Sequence, residues 1–221
     1  MTLAVVHSGS DLATSVIDAL KDETQKEKLA VPQVVEYAPD SFSATATVTR
    51  LKQANVTAVF FLGGAGDLMA FMKEAATVNW FPQIFVQVGT ATPALFDAPA
   101  GFEGKIFCTF PSAPVDVTEE AIKEFRLFGE KYKLPQKHIA AQLSAYSSAK
   151  ILIEALKRVG KDLSRERLIQ ALEGFYNYQT GLTPPITYGP NRRIGAMGAY
   201  IVMVDLKEKK FVPVSGWVAI N

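Results

Sequence analysis

Three short loops contain the residues of this sequence whose types could bind a small molecule or support chemistry. They are 8–11 (Ser-Gly-Ser-Asp), 63–67 (Gly-Gly-Ala-Gly-Asp) and 89–92 (Gly-Thr-Ala-Thr). Hydroxyl groups, backbone amides and two carboxylates dominate these loops, a set suited to hydrogen-bonded capture of a small polar molecule rather than to proton transfer. We therefore predict a ligand site whose candidate residues are Ser8, Ser10, Asp11, Gly64, Ala65, Gly66, Asp67, Gly89 and Thr90.

The glycine-rich loop at 63–66 lies between a predicted strand and a predicted helix, where backbone amides can bind an anion. A Walker loop would continue with Gly-Lys-Ser/Thr, but Asp67 follows Gly66, and a dinucleotide fingerprint would need Gly or Ala where Met69 stands. Two interpretations stay open: the glycines permit a tight turn, or their backbone contacts a ligand.

Catalytic chemistry finds little support. His7 and Ser8 have the types of a base and a nucleophile, but neighbours along a strand point to opposite faces, and no GxSxG elbow surrounds the serine. Cys108 is the single cysteine, and the two histidines are His7 and His138. A disulfide is excluded, a Cys/His zinc site is disfavoured, and Cys108 is expected to be a small buried hydrophobe. We predict neither an enzyme nor a bound cofactor.

Composition narrows the possible partners. The chain has 221 residues, with 23 Lys and Arg against 22 Asp and Glu. This balance gives no field for steering nucleic acid or anionic lipid, and the apolar runs are shorter than the ~20 residues of a membrane span. Met1 leads directly into an apolar segment without signal-peptide features. The expectation is either a cytoplasmic protein or a mature or truncated piece of a longer one.

The candidate loops are positioned by an alternation of strands and helices. Strands are predicted at 3–6, 32–37, 56–62, 83–88 and 105–110, with amphipathic helices between the first four. This order predicts an α/β fold, a doubly wound and mostly parallel sheet with helices on both faces. Because such sheets bind ligands at the carboxyl ends of their strands, the three loops should line one common edge.

The pattern changes after a boundary near 112–117. Three helices follow, the first opened by a capping box of Asp116 and Glu119, the second containing Tyr146 and the third opened by Ser164. Tyr146 is either a core aromatic or a ligand contact. The final residues predict a strand at 184–188 and an antiparallel hairpin of 199–204 and 211–218. Arg192 and Arg193 are a solvated pair or an anion site.

The order of four segments resembles a known family. They are Leu3–Ser8, Phe42–Lys52 with Val59–Gly64 after it, Ala145–Lys150 (Ala-Tyr-Ser-Ser-Ala-Lys), and Tyr188–Gly195 (Tyr-Gly-Pro-Asn-Arg-Arg-Ile-Gly). In this order the chain resembles the carboxyl-terminal part of type I periplasmic binding proteins, the leucine/isoleucine/valine-binding receptors of ABC transporters.

The resemblance implies a non-catalytic, periplasmic solute-binding protein with two lobes. It assigns 1–111 and 181–221 to the second lobe and the helices of 112–180 mostly to the first. It implies that the rest of the first lobe is absent from this chain. It also implies an amino acid, amide or aromatic acid as ligand, and an ABC permease as partner. Departures from the family are Asp11-Leu12, in place of an aromatic-glycine pair, and Ala65, where an aromatic residue could stack.

The helices of 118–175 have wide apolar faces, and each exposed large side chain would cost about 1.5–3 kcal/mol. We therefore predict a homodimer in which a second copy covers these helices. Two other functions stay in view: a cytoplasmic ligand-sensing regulatory module of the same fold, and an enzyme on a doubly wound sheet, which the residues disfavour.

Overall fold

The structure, a computed structural model, describes residues 1–38, 40–135 and 139–220. His138 lies outside the described residues, as do the side chains of Asp11, Leu12, Pro114 and Ala140. The strands are β1 (Leu3–Ser8), β2 (Gln33–Tyr37), β3 (Ala58–Leu62), β4 (Gln83–Gln87), β5 (Ile106–Phe110), β6 (Gly198–Asp205), β7 (Lys210–Pro213) and β8 (Val218–Ala219). The helices are α1 (Asp11–Lys26), α2 (Ala44–Gln53), α3 (Ala65–Thr77), α4 (Glu119–Tyr132), α5 (Ile139–Val159) and α6 (Arg165–Glu173).

The strands form one sheet in the order β2-β1-β3-β4-β5-β6-β7, and β8 pairs with β6. The pairs β1–β2, β1–β3, β3–β4 and β4–β5 are parallel, whereas β6 and β7 are antiparallel. The predicted α/β fold with a mostly parallel sheet is thereby confirmed. The chain divides into two compact units, unit 1 (residues 1–110 and 201–216) and unit 2 (residues 111–200 and 217–221).

Unit 1 is built from strands of apolar residues and helices with polar caps. Val6, Val59 and Phe61 are buried in the sheet and belong to one hydrophobic core with residues of α2 and α3. The Ser10 hydroxyl accepts a hydrogen bond from the Ala13 amide at 3.2 Å, and Ser43 caps α2 in the same way. Both serines thus satisfy a free amide at the start of a helix.

The end of the chain differs in part from the prediction. The hairpin forms between β6 and β7, with Met203 opposite Val212. The strand predicted at 184–188 is wrong, because 184–188 contributes only an isolated bridge, between Tyr178 and Ile186. Pro184 and Pro185 have no backbone N–H and cannot donate to a strand partner.

Unit 2 contains α4, α5 and α6. The Thr118 hydroxyl, rather than a box of Asp116 and Glu119, caps α4 and accepts from the Ala121 amide at 3.3 Å. The predicted capping box is therefore wrong. The Asp116 carboxylate instead accepts from the Ala113 amide at 2.8 Å. Ser164 caps α6 as predicted.

The compact units also divide the chain differently from the lobes that the resemblance implies. Residues 181–200 group with 111–180. The amides of Tyr178 and Ile186 bond to each other's carbonyl oxygens, and the Tyr188 amide donates to the Phe175 carbonyl. The assignment of residues to two lobes stays a prediction.

Candidate functional site

The carboxyl edge of the unit 1 sheet brings together the ends of β2, β1, β3 and β4. Ser8 lies opposite Tyr37, His7 opposite Leu62, and Phe61 opposite Val86. Since these strands are parallel neighbours, the loops that follow them emerge at the same edge. The topology thus places the predicted loops 8–11, 63–67 and 89–92 along one edge, and it adds the end of β2.

A tyrosine outside the three predicted loops, Tyr37, lies at the end of β2 on this edge. The Tyr37 hydroxyl donates to Asp67 Oδ2 at 2.9 Å. Burial and the negative charge of Asp67 raise the pKa of Tyr37 to about 12, while hydrogen bonds from the Ser8 side chain and the Gly64 backbone oppose this rise. Three candidate residues, Ser8, Gly64 and Asp67, therefore surround one oriented phenol.

The glycines of the 63–66 loop have different roles. A Cβ on Gly63 would overlap the Tyr37 hydroxyl and lie 2.8 Å from Phe61 Cε1, so Gly63 permits a close approach. Gly64 is the N-cap of α3. A Cβ on Gly66 would meet no atom within 4 Å, and the same holds for Gly89. Gly63 therefore serves close packing against Tyr37 and Phe61. A contact of the backbone at Gly66 or Gly89 with a ligand stays a prediction.

The charge at this edge is negative. Asp67 lies in the first turn of α3, where the helix dipole favours a negative charge. The Glu36 carboxylate lies over Gly9, since a Cβ there would be 2.8 Å from Glu36 Oε1. The segments 7–12, 36–43, 62–68 and 87–92 also contain Asp11 and Asp40 and have no Lys or Arg. Such an edge favours the cationic or N–H-bearing part of a ligand.

The loop after β4 turns sharply. Val88–Thr90 forms a single 3-10 turn, in which the Ala91 amide donates to the Val88 carbonyl at 3.1 Å. Thr90 is buried within this turn. Of the two candidates in this loop, Gly89 therefore has the more open surroundings.

Tyr146 belongs to unit 2. Its hydroxyl donates to Glu124 Oε1 at 2.8 Å, and its ring packs 5.5 Å from Phe125. Burial and Glu124 raise the pKa of Tyr146 to about 12, while hydrogen bonds from Lys150 and Tyr146 lower the pKa of Glu124. These contacts account for a packing role, and a contact of Tyr146 with a ligand stays a prediction.

Cys108 and His7, two of the groups that could act in catalysis, are buried. Cys108 is 1% exposed, and burial raises the pKa of its thiol to about 12, so the thiolate is disfavoured. The His7 side chain is buried and has no hydrogen-bond partner on Nδ1 within the described part of the chain. Across residues 1–38, 40–135 and 139–220, no cluster of three His, Cys, Asp or Glu side chains could hold a metal ion.

The fold and this edge define an α/β unit of the kind that binds small molecules at the carboxyl ends of parallel strands. Comparison with known proteins makes the assignment specific, because the sequence model of the family described as "Periplasmic binding protein" matches residues 1–210. The chain belongs to the periplasmic binding protein family. None of the curated protein sequences matches it.

Solved structures show the same fold. A branched chain amino acid ABC transporter protein from Thermus thermophilus with bound valine is 21% identical, with a TM-score of 0.80 over 99% of this chain and 60% of that one. A fatty acid ABC transporter substrate-binding protein from Thermomonospora curvata is 22% identical, with a TM-score of 0.76 over 100% and 58%. A leucine binding protein from Thermotoga maritima is 15% identical, with a TM-score of 0.77 over 99% and 61%. The chain thus spans about three fifths of the length of these proteins.

Among the helices in the described part of the chain, none has both the length and the apolar character that crossing a membrane requires.

Proposed function

We propose that this chain is a non-catalytic solute-binding component of an ABC transporter, acting outside the cytoplasm, and that it binds a small amino acid or amide at the carboxyl edge of unit 1. The observation that carries the proposal is the oriented pair of Tyr37 and Asp67. The Tyr37 hydroxyl lies 2.9 Å from Asp67 Oδ2, among the hydroxyls and amides of the neighbouring loops. Family membership over residues 1–210 supports the same class of function.

The charges at the edge favour one orientation of the ligand. Tyr37 occupies Oδ2 of Asp67 by donating a hydrogen bond, and a carboxylate has further lone pairs that can accept from an ammonium group. With Glu36 nearby and no cation in the surrounding segments, the ammonium or amide N–H groups of the ligand face unit 1. A ligand with a carboxylate alone would meet like charge there.

Calorimetric titration tests this proposal with three probes of one carbon skeleton: L-valine, L-valinamide and isovalerate. We expect the two amines to bind and isovalerate to give no heat of binding. Asp67→Asn should weaken binding of the amines by about tenfold or more, since it removes the charge that pairs with them. Asp18→Asn, an equal charge change on exposed α1, is the control and should bind as the wild type does. Binding of isovalerate that is unaffected by Asp67→Asn would contradict the proposal.

We further propose that a second copy of the chain covers the apolar face of α4, α5 and α6. Many large apolar side chains on these helices are more than a third exposed, and α6 has no buried residue. They are Leu127, Phe128, Tyr132, Ile139, Leu152, Ile153, Leu156 and Ile169. Water contact with such a face is unfavourable, and a symmetric dimer would remove it from water.

Light scattering during size exclusion tests the dimer. We expect a mass of about twice 24.1 kDa at micromolar concentration. Ile153→Glu should shift the protein toward the monomer, because the new charge would be buried in the interface. Thr45→Glu adds the same charge to exposed α2 in unit 1 and should leave the mass unchanged. A wild-type protein that elutes as a stable monomer refutes the dimer.

A further inference from the structure

Unit 2 contains a cavity of about 490 Å³ whose lining residues all belong to this unit. Asp116, Arg192, Tyr200, Trp217, Pro184 and Met197 are among the residues that line it. Its volume lies in the range of small-molecule sites, and its walls combine apolar surface with two opposite charges.

The negative group of the cavity is held in place. Asp116 Oδ2 accepts from the Ala113 amide at 2.8 Å, and Oδ1 accepts from the Tyr200 hydroxyl at 2.9 Å. Tyr200 is 7% exposed, so the phenol that orients the carboxylate is itself fixed by packing. A carboxylate has about four acceptor positions, and these two bonds leave capacity for a donor from a ligand.

The positive group is held in place as well. The Arg192 guanidinium donates to the Ile194 carbonyl at 3.3 Å through Nε and to the Gly195 carbonyl at 3.1 Å. A guanidinium has five N–H donors, so the remaining donors can bind a carboxylate. Backbone acceptors therefore fix the direction of the side chain without neutralising its charge.

Apolar surface forms much of the remaining wall. The rings of Trp217 and Tyr200 pack edge to face with their centroids 5.2 Å apart. The Met197 and Pro184 side chains also line the cavity. An apolar body of a ligand would replace water against this surface, which is favourable.

We propose that this cavity binds a small zwitterion with an apolar body, its ammonium on Asp116 and its carboxylate on Arg192. A molecule with one charge alone would leave the opposite charge of the cavity without its partner, at a cost in affinity. The site is additional to the one proposed at the edge of the sheet, because it uses residues of unit 2 alone.

The two tryptophans provide a direct assay. Trp80 lies in unit 1, where its indole donates to the Val56 carbonyl, and Trp217 lines the cavity. In ¹H–¹⁵N spectra of the 221-residue protein, titration with L-leucine should shift the indole signal of Trp217 saturably and leave that of Trp80 unchanged. The signals are assigned with Trp80→Phe. The single-charge probes 4-methylpentanoate and isoamylamine should bind at least about tenfold more weakly than L-leucine.

Variants separate the charged contacts from general apolar binding. Arg192→Gln should weaken L-leucine binding by about tenfold, and Asp116→Asn, which keeps an oxygen for Tyr200, should do the same. Arg193→Gln is the matched control, because Arg193 pairs with Glu173 outside the cavity. Asp67→Asn should leave the Trp217 shift intact, which distinguishes this site from the edge of the sheet. An unmoved Trp217 signal, equal shifts with all three probes, or an unchanged affinity of Arg192→Gln would overturn the proposal.

Discussion

Gly63 lies against the hydroxyl of Tyr37, and substitution of this glycine tests how tightly the edge of the sheet is assembled. In Gly63→Ala the new methyl group overlaps the Tyr37 hydroxyl and lies 2.8 Å from Phe61 Cε1. Phe61 is fully buried and packs on Phe71, so it has little room to move. Tyr37 is half-buried and must turn away, which breaks its bond to Asp67.

The expected cost follows from overpacking. Inserting one methyl group into a packed site destabilises the folded protein by about 1–3 kcal/mol. In a Tyr37→Phe background the overlapping oxygen is gone, and the nearest atom of that ring is Cζ at 3.2 Å. The cost of Gly63→Ala should therefore fall, giving a coupling free energy of about 1 kcal/mol between the two positions.

Urea unfolding of the four proteins of this double-mutant cycle gives the coupling. Trp217→Phe is the common background, so that the fluorescence of Trp80, which packs on Phe71 in unit 1, reports alone. Gly66→Ala is the control: its methyl group meets open space within α3 and should stabilise by ~0.5–1 kcal/mol. An equal loss of unfolding free energy for Gly63→Ala with Tyr37 and with Phe at position 37 would refute the predicted overlap.

Three further predictions concern unit 1. Cys108 should react with a thiol reagent at pH 8 only as fast as the protein unfolds, because it is buried and its pKa is raised to about 12; a native rate equal to the rate in urea would contradict its burial. Ser43→Ala should lower the free energy of unfolding by about 1 kcal/mol, since it leaves the Ala46 amide without its cap, and Ser43→Asp should restore it; equal urea midpoints for all three proteins would exclude the cap. The folded-state pKa of Tyr37, about 12, lies above its ordinary value of 10, so its contribution to stability is complete below pH 10 and is lost as the pH rises from 10 to 12. Stability measured across this range should fall more steeply for the wild type than for Tyr37→Phe, and parallel curves would show that the phenol does not titrate as described.

Local patterns were sufficient to predict most of the sheet. Buried parallel strands such as β3, with Val59 and Phe61 in the core, appear as continuous apolar runs, and serines such as Ser43 mark helix starts because their hydroxyls satisfy free amides. These signals depend on neighbours a few residues apart. Because parallel strands end at the same edge of a sheet, the loops after β1, β3 and β4 could also be placed on one edge from the sequence.

Residues whose role depends on distant partners could not be found in this way. Tyr37 and Asp67 are 30 residues apart in the chain, and they meet because β2, which ends with Tyr37, and β3, which precedes Asp67, lie on either side of β1 in the sheet. Asp116 and Thr118 both fit a local capping pattern. The Tyr200 hydroxyl, 84 residues away, donates a hydrogen bond to Asp116, and Thr118 caps the helix instead.

We propose above all that the edge formed by β1, β2, β3 and β4 binds the amino end of a small solute. Backbone amide spectra of the 221-residue chain, recorded while L-valinamide is added, test it most directly. We expect saturable shifts concentrated at residues 8–10, 63–67 and 88–90. Saturable shifts confined to α5, or none at any position, would contradict it.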